Sequence, residues 1–101
     1  MKKLILAATL LAITAPVAVH AGAIENACIQ SDRSRGNRAL CGCIQQAADM
    51  TLRNADQRRA AGFFRDPHQA QEVRMSKSNA DNEFWQRYRS FISAAEGMCA
   101  G

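Results

Sequence analysis

Four cysteines constrain this chain more than anything else in it. Cys28, Cys41, Cys43 and Cys99 form an even set in a protein of 101 residues. A chain this short buries only roughly 60% of the surface that its unfolded form exposes. Residues 24–101 hold 32 apolar residues, and twelve of those are alanine. Packing alone therefore gives a marginal core. Two cross-links supply what packing lacks, provided the protein reaches an oxidising compartment.

The N-terminus supplies that route. Lys2 and Lys3 precede an uncharged apolar run over 4–15; Pro16 ends it and small residues follow. This is the layout of a secretory signal peptide. The run falls short of the ~20 residues that span a bilayer. Val19-His20-Ala21 and Ala21-Gly22-Ala23 both fit a small-x-small cleavage site. Residues 1–23 thus read as a signal peptide cut after Ala21 or Ala23, and 24–101 as one domain. Glu25, directly ahead of Asn26-Ala27-Cys28, does not resemble a lipobox. Without Lys2 and Lys3, eleven basic side chains face nine acidic ones, a net of +2. That charge gives little steering toward nucleic acid or an anionic membrane. No later run approaches transmembrane length. The expectation is a periplasmic or secreted soluble domain with no membrane span and no nucleic-acid partner.

The rest of the chain reads as helices. Strand signals are almost absent: after residue 23 there is one Val and one Thr, and no alternating run. The first helix, over 24–31, puts Ile24, Ala27 and Cys28 on one face. A polar loop over 31–37 follows. The second helix, over 37–54, carries Leu40, Cys41, Ile44, Ala47, Ala48, Thr51 and Leu52 at the 3.6-residue period, with Asn37 as its N-cap. A short helix over 55–65 carries Ala60, Phe63 and Phe64, with Asp56 as its cap. The next helix runs to about 75. Asp66 caps it, Pro67 takes the first helical position and Gln69 reaches back as in a capping box. The last, over 80–99, stripes Phe84, Tyr88, Phe91, Ile92, Ala95 and Cys99, with Trp85 on the shoulder. The fold class is all-α: a compact bundle of four or five short helices stapled by two disulfides.

Cys41-Gly42-Cys43 is the one motif with reactive chemistry in it. As a C-x-C redox pair its disulfide closes a small, exchange-prone ring. As a structural pair each cysteine serves a different neighbour, because residues i and i+2 on a helix point about 200° apart. Cys28 and Cys99 supply those neighbours. Count alone leaves three connectivities open. A helical hairpin centred near Ser34 and Arg35 brings Cys28 opposite Cys41, which leaves Cys43 for Cys99; a Cys28–Cys43 bond is the competing register. Cys41 and Cys43 with Met50, Met75 or Met98 would offer soft ligands to Cu(I). No His lies near the pair, and the paired C-x₂-C spacings of zinc sites are missing. No metal and no cofactor is expected. His68 would have to serve every catalytic triad, and neither a nucleophile elbow nor a phosphate loop is present. Arg33, Arg35 and Arg38 around the first loop form a candidate anion patch, since guanidinium groups grip carboxylates and phosphates in two-pronged fashion. Local pairing with Asp32, Asp49, Asp56 and Asp66 is the plainer reading of the arginines.

Several segments have a familiar look. Ser31-Asp32-Arg33, the run from Arg38 to Gln46, Phe63-Phe64-Arg65-Asp66-Pro67-His68 and the run from Gln71 to Ser78 resemble a family of small exported four-cysteine proteobacterial proteins of unknown function. Some members carry the label "arginine transporter". The resemblance implies no catalytic or binding residues. For a domain too short to cross a membrane, the label implies a small solute-binding accessory protein. Asp81 and Glu83 near Trp85 are the groups such a site would use for arginine. From the residues themselves the leading expectation is a non-enzymatic binding or interaction protein of the cell envelope, its partner an envelope protein or a small solute. The rival is a thiol–disulfide redox protein using Cys41-Gly42-Cys43.

Overall fold

Asn37 shows how closely local sequence dictates the helix starts. Its side chain accepts the Leu40 N–H at 3.0 Å, one of the orphan donors of a first helical turn. In the computed structural model, which describes residues 22–31 and 37–100, this cap opens the second of five helices. They are α1 (Ala23–Gln30), α2 (Arg38–Thr51), α3 (Asn54–Arg65), α4 (His68–Arg74) and α5 (Asn79–Cys99). The described residues contain no strand. The fold is all-α and compact. Residues 1–21, 32–36 and 101 lie outside the described residues, and with them most of the expected leader and of the expected first loop.

Boundaries differ from the expected ones where side chains intervene. Helix α2 stops at Thr51 rather than near 54, because Leu52 turns extended and drops into the core at 7% exposure. Asp56 does not cap α3 from its first position. It sits one turn in and accepts the Arg53 N–H at 3.1 Å. Asp66 does hold the start of α4, accepting the His68 N–H at 3.1 Å. The reciprocal reach of Gln69 does not form, since the Asp66 N–H closes α3 on the Gly62 carbonyl at 2.9 Å. Ser78 caps α5 by accepting the Asp81 N–H at 3.1 Å.

Helix α1 packs on α2 and α3, and α5 lies along α2 while also meeting α3 and α4. The shared core contains Ile24, Leu52, Phe63, Val73, Phe84 and Phe91. Ala27, Ala47, Ala48, Ala60 and Ala61 are buried among them and let the helix backbones approach closely. Alanine therefore carries more of this core than its size suggests. Phe91 is 1% exposed, so its truncation to Ala should cost about 3–5 kcal/mol.

The two bridges complete the frame. Cys28–Cys41 ties α1 to α2 across a Cα separation of 5.6 Å. Cys43–Cys99 ties α2 to the end of α5 across 5.8 Å. This is the pairing that the hairpin argument gives.

Candidate functional site

Cys41 and Cys43 share a helix and serve different partners, as a two-residue step on α2 requires. No C-x-C bond is formed. The four sulfurs are spent in pairs, so none stands as a thiolate ligand or nucleophile. The two bridges differ in their surroundings. Cys28 and Cys41 are 2% and 0% exposed, whereas Cys43 and Cys99 are half-buried. Shallow grooves run on both sides of the second bridge. One, of about 450 Å³, is lined by Asn37, Ala39, Leu40, Cys43, Met98 and Cys99. The other, lined by Leu40, Ile44, Ala95, Glu96, Cys99 and Ala100, is nearly all apolar.

A third cleft continues this surface along α5. It measures about 290 Å³ and is lined by Trp85, Tyr88, Arg89, Ile92, Ser93 and Glu96. All six residues come from one helix, so the cleft is a surface trough rather than an enclosure. Its two rings belong to an aromatic cluster: Trp85 lies 5.1 Å from Tyr88, and Tyr88 lies 5.2 Å from Phe63, edge to face, and 5.8 Å from Phe91, centroid to centroid. These spacings suit aromatic packing. The inner rings are buried and fix the outer two. Ile92, expected in the core stripe, is 37% exposed instead, and Met98 is 44% exposed. Ile92 stands one residue, about 100°, round the helix from buried Phe91, on the flank of the stripe, while Ala95 and Cys99 further along still pack against the core and α2.

The polar side chains organise elsewhere. Gln45 is 8% exposed and Gln57 is 7% exposed. Gln45 Oε1 accepts the Glu25 N–H at 2.9 Å, and its Nε2 donates to Asp49 Oδ1 and to Gln57 Oε1, both at 2.8 Å. Gln57 Nε2 donates to the same Asp49 oxygen at 3.1 Å. Three helices are joined by two glutamines, and no described buried side-chain polar atom lacks a partner. This cluster is structural: its donors and acceptors are used up internally.

The charges pair at long range rather than locally. Asp56 takes a two-pronged bridge from Arg87, with Nε to Oδ2 at 2.8 Å and Nη2 to Oδ1 at 3.0 Å. The Arg87 guanidinium holds the Asp56 carboxyl below the usual carboxylate range. Arg59 binds Asp81 at 2.7 Å and lies over the Phe84 ring at 4.7 Å. The Ser76 hydroxyl and then Arg59 lower the Asp81 carboxyl. Asp81 is thus engaged by Arg59 and does not line the trough near Trp85. Glu83 is not among the trough residues either; Glu96 is. Of the candidate anion patch, Arg38 is exposed at the start of α2, while Arg33 and Arg35 lie outside the described residues. Met50 and Met75 are 72% and 78% exposed. Among the described residues no three His, Cys, Asp or Glu side chains gather to hold a metal ion. No helix of the described residues is long and apolar enough to cross a membrane.

Comparison with models of known families, with curated proteins and with solved structures finds no match to this chain. The functional reading therefore stands on the chain's own residues. Sequence reasoning passed over Gln45, Gln57 and the Asp56–Arg87 pair, whose members are 31 positions apart. It also passed over Glu96, which takes its meaning from the aromatic trough beside it.

Proposed function

We propose that this is an exported, disulfide-stapled helical protein that binds a partner in the cell envelope and performs no catalysis of its own. The observation that supports it is the division of the Cys41-Gly42-Cys43 motif between two interhelical bridges. The motif with reactive chemistry is thereby committed to holding helices. The half-apolar surface of α5 and the edge of α2 give a rigid frame something to present. Trp85, Tyr88, Ile92 and Met98 are the side chains this surface offers, and aromatic residues and methionine are enriched at interfaces. Periplasmic or secreted location follows from the leader and suits two persistent disulfides.

The class is tested on purified protein by thiol oxidase and disulfide isomerase assays. Neither activity is expected above background. Activity that disappears with Cys41→Ser or Cys43→Ser makes it a thiol–disulfide enzyme instead.

One observation favours a second reading, the solute-binding accessory role that the resemblance implies. Glu96 lines the same trough as Trp85 and Tyr88, and a carboxylate with aromatic rings is a combination that suits a guanidinium or ammonium group. Arg89 lines the same trough and opposes it. A surface formed by one helix also falls short of the enclosure that small-ligand sites provide, where 70–90% of the ligand is typically buried. The partner-binding reading is therefore preferred. Calorimetry with arginine, lysine and glutamate at millimolar concentration separates the two: heat with arginine alone would favour the solute.

A further inference from the structure

We infer that the mature chain begins at Gly22, so that the leader is removed at the Ala21–Gly22 bond and not at Ala23–Ile24. The inference rests on the export reading above. Both bonds carry small residues at the positions a leader peptidase reads, so the motif does not separate them. The fold does, because Gly22 and Ala23 are parts of the folded domain.

Gly22 is the N-cap of α1, and its carbonyl accepts the Asn26 N–H at 3.0 Å. Its Cα lies against the side-chain amide of Gln45. A Cβ at position 22 would collide with that amide, so a larger residue there must push Gln45 away from the hydrogen bonds that hold it. Ala23 is the first helical residue and packs against the core. The Glu25 N–H, one residue beyond Ile24, donates to Gln45 and joins this turn to the buried glutamine network.

Cutting after Ala23 would strip the cap from α1 and remove its first residue. It would also place the new ammonium on Ile24, whose side chain is 0% exposed. That charge would stand on the first turn, at the positive end of the helix, where a cation is disfavoured. Cutting after Ala21 leaves the ammonium on Gly22, which is half-buried and outside the helix proper. The cap, the close approach to Gln45 and the first turn all survive. The domain thus extends two residues further toward the N-terminus than the sequence pattern suggests.

Two measurements test this. The full-length gene is expressed in an exporting host, and the intact mass of the exported chain is read with its disulfides in place. The expected mass is that of a chain beginning at Gly22. A chain lighter by one glycine and one alanine begins at Ile24 and overturns the inference while leaving export standing. A chain that keeps its leader overturns the export reading, and this assignment with it. In the second measurement, oxidised proteins beginning at Gly22 and at Ile24 are prepared and melted side by side. The shorter one should melt roughly 5–10 °C lower, an ordinary response for a domain of this size to losing a backbone hydrogen bond and a packed alanine, together about 1 kcal/mol. Equal melting temperatures would overturn the structural argument wherever the cut falls.

Discussion

Breaking the Asp56–Arg87 pair should destabilise the bundle in a way that vanishes in acid. Asp56 is 8% exposed, and its carboxylate accepts three N–H groups, two from the Arg87 guanidinium and one from the Arg53 backbone. A hydrogen bond to a charged group contributes about 1.5–3 kcal/mol. Arg87→Met removes two donors at once and leaves the carboxylate with a single backbone partner. The expected cost is about 2–3 kcal/mol at pH 7, or roughly 10–20 °C in Tm for a domain of this length. Asp56→Asn should cost somewhat less, because an amide oxygen still accepts one of the bonds. The double variant should cost less than the sum of the two, with a coupling of about 1–2 kcal/mol. The pH dependence has a definite sign. Arg87 lowers the Asp56 carboxyl in the folded state, so the unfolded chain binds its proton at higher pH. The pair's contribution is full above the ordinary aspartate value near 4, and it is lost as pH falls through the lower folded value. Urea melts of the four proteins at pH 7 and in strong acid measure this. Additive single effects at pH 7, or a wild-type advantage that persists undiminished in acid, would refute the reasoning.

Other expectations follow from the same geometry. Under limiting reductant the half-buried Cys43–Cys99 bridge should open before the buried Cys28–Cys41 bridge, read by alkylation and peptide mapping; the reverse order would contradict the burial argument. Gln45→Ala should cost about 1–3 kcal/mol in urea melts, since it leaves Gln57, Asp49 and the Glu25 N–H short of partners. Gly22→Ala should destabilise by displacing the same Gln45 amide, so the two changes combined should cost less than their sum. Ile92→Asp should leave Tm nearly unchanged, because an exposed position tolerates a charge; a large loss of Tm would place Ile92 in the core after all.

The parts of this fold legible in sequence are those decided within a few residues. Asn37 and Asp66 lie next to the turns they cap, and Phe84 and Phe91 repeat at the helical period. The disulfide pairing was also within reach, because hairpin geometry and the two-residue step from Cys41 to Cys43 constrain it. The rest depends on which surfaces meet. Gln45 looks like a solvated position until the turn between α2 and α3 brings Gln57 to it from twelve positions away. Asp56 sits among arginines in sequence yet takes its partner from α5. Ile92 shares the periodic stripe of Phe84 and Phe91, and periodicity does not say how far round α5 its neighbours reach. The grooves beside Cys43–Cys99 depend on how α5 meets α2, so the candidate surface could not be read from the pattern that places its residues.

Binding of an envelope partner by the α2–α5 surface is what we propose. A photoreactive side chain at position 92, with a control at exposed Glu72 on α4, tests it directly when crosslinked in the native envelope. The account predicts one discrete adduct from position 92, absent from position 72, and lost when Leu40→Asp places a charge on the α2 side of the groove. No adduct from position 92, or the same adducts from both positions, would contradict it.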